Sequence, residues 1–442
     1  MNTVQKPVES LNSWLLGSSE RLTRGDPEWL TLQRRHARER LRKEPVPGPR
    51  QEGWRYTNLR PLLEQRFRPA AEAINTFDKD ELKDYLIPDL DVWRVVLVNG
   101  RFEPELSCLE GLPAGARAAS LRQLLTEDPA LIQNLLNRVA GAGAHAFATL
   151  NTAGLHDGFL LHLAKNTRLE KPLELVHVSL GRDEPGLVQP RHLVKLETDT
   201  DATLIERYLG PDESLYCTNN LLEIDLEAGS HLAHHRVQEE SPNAFHLSGL
   251  YIRQGGHSVY RGTNVALGAT WSRTDIKLSF DTPGAECEIE GLYLVGDGQL
   301  VDFHLDIEHQ VPECSSREHF KGLVSGKGRA VLDGRIHVAA DAQKTNAHLK
   351  NDNLLLSRTA EVDTKPQLEI YADDVKCSHG ATVGQIDSDA LFYLRARGIP
   401  ELEARRMLCV GFAGEIIQSC GPAALQAYIE ARVNTRLSAT SP

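Results

Sequence analysis

The chain has 442 residues, 41% of them apolar, with a formal charge of −12. This length exceeds one ordinary domain of about 100–200 residues, so several modules with a large buried core are expected. The acidic balance argues against a nucleic-acid or anionic-membrane surface, and no apolar run reaches the roughly 20 residues of a membrane-crossing helix.

The first third reads mainly as helix. Asp26-Pro27 is a helix start, with Asp as cap and Pro at the first helical position. Trp29, Leu30, Ala37 and Leu41 follow at helical spacing, and Pro45, Pro47, Gly48 and Pro49 break the pattern. Arg34, Arg35, Arg38, Arg40, Arg42 and Lys43 on this segment read as a solvated helix face. Val92 to Val98 reads as a strand, and Asp128-Pro129 opens a second helix through Leu131, Ile132, Leu135, Leu136 and Val139.

From about Leu155 to Ile386 the period changes to two. Leu222, Ile224 and Leu226 alternate with Glu223, Asp225 and Glu227. Val301, Phe303, Leu305 and Ile307 alternate with Asp302, His304, Asp306 and Glu308. Each such strand is expected to bury one face and wet the other. Gly229, Gly256, Gly284 and Gly328 each stand just before a new strand, the first three at intervals of 27 and 28 residues. Such a period suggests a solenoid of stacked coils; a jelly-roll or sandwich also fits short strands with glycine turns. No long helical stretch interrupts the strands, which argues against a βαβ sheet.

The end of the chain returns to helix. Ser388 is the expected cap of a helix through Leu391, Phe392 and Leu394, stopped by Gly398. Pro400 starts a second helix that ends at Gly421-Pro422, and a third carries Leu425, Tyr428 and Val433.

Among the residues able to carry chemistry, Gly326-Lys327-Gly328 lacks the glycine spacing and the Ser or Thr of a phosphate loop. Any ATP chemistry must then come from a partner. His231, His234 and His235, with Glu239, have the composition of a cupin-type metal cluster, or of a polar strand face. Asp302, His304, Asp306 and Glu308 fit a carbohydrate groove or the wet face of an amphipathic strand. The seven cysteines are scattered and never form a C-x-x-C pair, which argues against a disulfide framework and against a self-contained four-thiolate cluster. Cys377-Ser378-His379-Gly380 sets a thiol and an imidazole two residues apart. On a strand they share one face, with roots roughly 7 Å apart, and both are ligands that iron accepts.

Ordered motifs surround that pair. Asn351-Asp352-Asn353-Leu354-Leu355-Leu356-Ser357, Pro366-Gln367-Leu368-Glu369-Ile370, Asp373 to Thr382, and Leu391-Phe392-Tyr393-Leu394-Arg395-Ala396-Arg397-Gly398-Ile399 resemble the SufB/SufD family of iron–sulfur cluster assembly proteins. Trp54-Arg55-Tyr56-Thr57-Asn58-Leu59 is similar to the family's N-terminal signature. The Cys-Ser-His-Gly wording is that of the SufD branch, and Asn351 stands where SufB carries a cluster-building cysteine.

The resemblance implies a mainly β fold: a right-handed parallel β-helix flanked by N-terminal and C-terminal α-helical domains. The bounds expected from it are 1–150 for the helical N-terminal domain, 151–387 for the β-helix and 388–442 for the C-terminal helices. It implies a non-catalytic scaffold that meets a SufB-type paralogue through the ends of their β-helices and docks SufC, an ABC-type ATPase. A transient iron–sulfur cluster would be shared with SufB, with His379 as metal ligand and Cys377 beside it. No cofactor would be tightly bound to the chain alone, a reduced flavin is an option in the complex, and a homodimer is an option for the isolated chain. Leu391, Phe392, Tyr393, Leu394, Arg395, Arg397, Gly398, Ile399 and Phe412 fall where the ATPase is expected. Met1 to Ser10 lacks the apolar stretch of a signal peptide, so a cytoplasmic location is expected.

Overall fold

Period-two runs with glycine turns and no intervening helix can stack only strand on strand, and that is the architecture found. The computed structural model describes residues 25–44, 46–70, 77–141, 145–181 and 185–439. The strands of the first half are β1 (Arg68–Pro69), β2 (Trp93–Val98), β3 (Arg101–Phe102), β4 (Ala116–Ser120), β5 (Gly158–Leu163), β6 (Leu173–Val178), β7 (Gly186–Val188), β8 (Arg191–Leu196), β9 (Asp201–Leu209), β10 (Tyr216–Leu226) and β11 (His231–Gln238). Those of the second half are β12 (Phe245–Gln254), β13 (Val259–Ala266), β14 (Trp271–Phe280), β15 (Glu286–Val295), β16 (Leu300–His309), β17 (Ser315–Val324), β18 (Arg329–Val338), β19 (Asn346–Leu355), β20 (Glu361–Ile370) and β21 (Lys376–Gly384).

Two sheets result, and from β8 onward the chain alternates between them. One sheet runs β20-β18-β16-β14-β12-β10-β8-β5-β4 and the other β21-β19-β17-β15-β13-β11-β9-β6-β2-β3. Pairing is parallel except for β2 with β3 and β4 with β5. This is a parallel β-solenoid of about eight turns. The parallel ladders exclude a jelly-roll, which is built of antiparallel strands. From β8 onward register partners lie from 26 residues apart (Phe245 and Trp271) to 32 (Arg329 and Glu361), close to the 27 and 28 read from the glycines. Gly229 and Gly284 turn the chain at φ +67° and +81°, which only glycine adopts freely. Gly328 is needed for closeness instead, since a Cβ there would lie 2.6 Å from the Gly296 carbonyl oxygen.

The inward face of every coil feeds one continuous core, from Trp93 and Leu161 through Leu222, Ile276 and Phe303 to Leu349. The outward faces are mostly covered as well. On the β12 side lie α1 (Glu28–Lys43), α2 (Arg60–Leu63), α4 (Leu121–Glu127), α5 (Pro129–Leu135) and α6 (Ala146–Gly154) or their connecting loops, while α3 (Lys79–Lys83) packs near β6 on the other sheet. Ala37, Leu41, Trp54 and Phe147 there share a core with Cys217, Phe245 and Trp271. On the opposite sheet lie α8 (Glu401–Ile417) and α9 (Ala423–Ala439), after α7 (Ser388–Ala396). Cys409, Ala413, Ile416, Leu425 and Ile429 pack there on Val237, Val265, Leu292 and Leu323.

Several local expectations are corrected. Asp26 does not cap α1; its carboxylate pairs with Arg34 at 2.8 Å, and Arg34 is only 2% exposed, so that arginine is not part of a solvated face. Asp387, not Ser388, caps α7 by accepting from the amides of Asp389 and Ala390. Asp128 does cap α5 through the Leu131 amide. The face of β10 expected to be wet is buried: Glu223 accepts the amides of Asn137, Val139 and Ala140 and pairs with Arg191 at 2.5 Å.

The Asp302 row is likewise a structural ladder. Asp302 is buried, pairs with Arg273 at 3.0 Å and accepts the Thr57 hydroxyl. Arg273 stacks 3.7 Å from the Trp54 ring centre and donates to the Gly53 carbonyl. Asp306 and Glu308 are shared between Lys277 and Arg335. The N-terminal signature is thus a clamp onto the solenoid wall. Asp302→Ala would take the acceptor from the Thr57 hydroxyl and one of two carboxylates from Arg273, which Asp275 still holds at 2.7 Å, so a loss of about 1–3 kcal/mol is expected, read as a lowered midpoint in chemical denaturation.

Candidate functional site

Among the described residues, β20 and β21 are the edges of the two sheets, each paired on one side only. The coil they form has no cap. β20 is almost wholly half-buried, and β21 is exposed along most of its length. Ile370, Tyr371 (65% exposed) and Val383 (48%) present apolar surface there. Natural sheet edges of nine or ten residues are usually shielded, because free amides and carbonyls invite another strand.

Register decides which side chains this end displays. Cys377 lies over Ala347, which lies over Ser316 and Cys287; His379 lies over Leu349, which lies over Glu318 and Ile289. Ala347, Leu349, Cys287 and Ile289 all belong to the interior core, so Cys377 and His379 continue the inward-facing columns. Cys377 is half-buried against that core, and burial raises its thiol pKa. His379 is exposed. Between them Ser378 faces the other way and hydrogen-bonds His348 at 2.6 Å. A thiol and an imidazole therefore look out of the open end of the solenoid, side by side. That is an incomplete ligand set for an iron–sulfur cluster, which ordinarily takes several thiolates.

One coil below, Asn351 is sealed in an amide network. Its side chain donates to the Tyr293 hydroxyl at 3.0 Å and accepts from Asn353 at 2.8 Å. It supplies no thiol.

A family model of the SUF system cluster assembly SufBD core domain matches residues 178–412, and one of the SufBD N-terminal region matches residues 10–175. This chain belongs to the SufBD family of iron–sulfur cluster assembly proteins. It is 34% identical to a SufBD family protein of Synechocystis over 88% of this chain and 87% of that one. It is 33% identical to the iron–sulfur cluster assembly protein SufD of Escherichia coli, over 90% and 91% of the two chains. A chloroplastic protein of Arabidopsis thaliana, ABCI7, is 29% identical over 86% and 80%.

Geometry also disperses the alternative metal cluster. His234 faces inward, between the Tyr260 hydroxyl (3.0 Å) and Glu206 (3.1 Å). His235 faces outward to Thr263, and His231 is exposed. Glu239 pairs with Tyr428 and Arg432 on α9. Neighbours on a strand point to opposite faces, so this sequence spacing could not converge.

The C-terminal segment offers a second open surface. No residue of α7 is buried; Phe392 is 71% and Tyr393 56% exposed, with Leu402 and Met407 exposed nearby. Leu391, Leu394 and Ile399 are half-buried, while Arg395 and Arg397 are exposed, Arg397 resting on the Tyr393 ring. Gly398 ends the helix at φ +86°. Phe412 instead turns toward the solenoid, with Lys321 4.7 Å from its ring centre.

Sequence reading missed a link between these two surfaces. Lys321 on β17 donates to the Phe412 carbonyl at 3.1 Å and pairs with Glu415 of α8. His319, two residues away on the same face of the strand, hydrogen-bonds Asp352 of β19 at 3.0 Å, and Asp352 accepts the Thr382 hydroxyl of β21 at 2.8 Å. The row His319, Lys321 and Asp352, Thr382 is visible in sequence only once the register of β17, β19 and β21 is known. Among the described residues no helix is long and apolar enough to cross a membrane.

Proposed function

We propose that the chain is the SufD-type scaffold subunit of a SufB–SufC–SufD complex, holding one side of a nascent cluster and transmitting ATP-driven movement to it. The observation that carries this reading is the uncapped last coil. Two unpaired edge strands and an apolar rim ask for another solenoid end, and the columns that reach that rim finish in Cys377 and His379. A SufB-type paralogue would complete the ladder and the ligand set; without it, the same edges suit a second copy of this chain.

In this reading the cluster is cargo. His379 would ligate iron opposite a paralogue thiolate, with Cys377 beside it. A site with too few donors on either side can release its product when the sides part. SufC would dock on α7, where Phe392 and Tyr393 supply the aromatic anchor typical of interface centres. Movement of α8 would pass through Glu415, Lys321 and His319 to Asp352 and Thr382, three residues beyond His379.

Copurification tests the partner assignments. Val383→Arg should weaken capture of the SufB-type paralogue by at least about tenfold while keeping SufC, and Phe392→Arg should do the reverse. Equal capture by both variants and the parent chain would refute the two surfaces. Asp352→Ala tests the link: clusters formed per ATP hydrolysed should fall while ATP hydrolysis itself holds. An unchanged ratio would remove Asp352 as a positioning residue.

A further inference from the structure

The early coils enclose a cluster of groups that the proposed function does not use. On β6, β8 and β9 the inward register alternates Leu173, Leu175, His177; His192, Val194, Leu196; and Ala202, Leu204, Glu206. His177, His192 and Glu206 are buried, and each offers one ligand atom within 4.8 Å of the others. All four ring nitrogens of the two histidines lack a hydrogen-bond partner. Buried polar groups are ordinarily paired in a protein interior, so four unpaired nitrogens in one place ask for an occupant.

We propose that His177, His192 and Glu206 hold a resident divalent transition-metal ion, zinc or ferrous iron, inside the first coils. Two imidazoles and a carboxylate are the donor set both ions accept. Bonds of about 2.0–2.2 Å to one ion require the three donor atoms, now within 4.8 Å of one another, to draw together around it. His177 is further fixed by stacking on Tyr208, with ring centres 4.5 Å apart and planes within 5°. Glu206 is oriented by Arg236 (2.8 Å) and His234 (3.1 Å), both on Oε2, and its Oε1 accepts the Tyr208 hydroxyl at 3.1 Å. The Arg236 charge on Oε2 works against a cation, and the burial of all three donors means that the ion is expected to enter as the coils close and to leave only on unfolding.

This site is separate from the open end. Six strand steps in one sheet separate β9 from β21, roughly 29 Å at about 4.8 Å per step.

The test uses the full chain carrying Cys377→Ala and His379→Ala, so that metal at the open end is not counted. The protein is folded anaerobically with Zn2+ or Fe2+ in separate arms, washed with chelator, then unfolded and assayed for metal. The expected result is a stoichiometric ion that survives the wash, is released on unfolding, and falls to background in His192→Gln and in Glu206→Gln. The arm that retains metal names the ion. His192→Gln keeps the charge balance around Arg236, and its thermal melt verifies folding. Trace metal in both arms of the parent, or stoichiometric metal that a folded His192→Gln still holds, would overturn the proposal.

Discussion

Replacing His379 with Ala is expected to abolish cluster build-up on the reconstituted complex while leaving its subunits assembled. The reasoning is geometric. His379 ends an interior column at the unpaired edge of β21, and its exposure means that truncation opens no cavity and strands no partner. Folding and association should therefore survive, and the loss should fall on the cluster alone. Anaerobic reconstitution followed by visible absorption and iron and sulfide analysis gives the readout. Cys377→Ala is expected to do less, because that thiol is half-buried and its pKa is raised by burial, which disfavours the thiolate that binds iron.

The second large effect concerns stability. Glu318 is buried on β17, and its carboxylate oxygens complete no hydrogen bond. The adjacent Ser316 hydroxyl is engaged with His309 at 3.1 Å. Burial pushes the Glu318 carboxyl up to about 8, from an ordinary 4.5. The folded state thus keeps a proton that the unfolded state has released. Stability from this group is full below about 4.5 and is lost as pH rises through about 8. The shift corresponds to about 5 kcal/mol across that window. Glu318→Gln removes the proton and should flatten the dependence. Urea denaturation at pH 5 and pH 9 checks it: the native chain should lose much more stability than the variant between the two. Parallel losses would show that Glu318 is not the group responsible.

Sequence periodicity suggested the solenoid, with a jelly-roll or sandwich left open until family resemblance favoured the former, because the coil length and the inward alternation are both one-dimensional signals. The glycines before β11, β13 and β15 mark one sheet's coils, and the parity of Leu222, Ile224 and Leu226 marks the inward side. The outward side was less legible. Glu223 and Asp302 have the spacing of wet residues, yet the N-terminal segment covers them, and nothing local to a strand reveals what packs on its back. The same limit hid Arg34, whose partner Asp26 stands where a cap is expected. At the candidate site, Cys377 and His379 were legible as a pair from their parity and from family resemblance. That they occupy an uncapped coil depends on which strand is last, which is a property of the whole stack. His177 and His192 sit in the inward register of their own strands, so a polar residue at an apolar position was a signal available to alternation. Their approach to Glu206 depended on the stacking of three strands.

The open end itself can be probed by hydrogen–deuterium exchange of the free chain and of the chain mixed with its SufB-type paralogue. If β21 is where a second solenoid pairs, the amides of Lys376–Gly384 should slow by at least about tenfold on mixing, and those of α7 should be unchanged until SufC is added. Exchange across β21 as fast as in the free chain, with protection appearing on another face, would contradict the placement of the cluster at this edge.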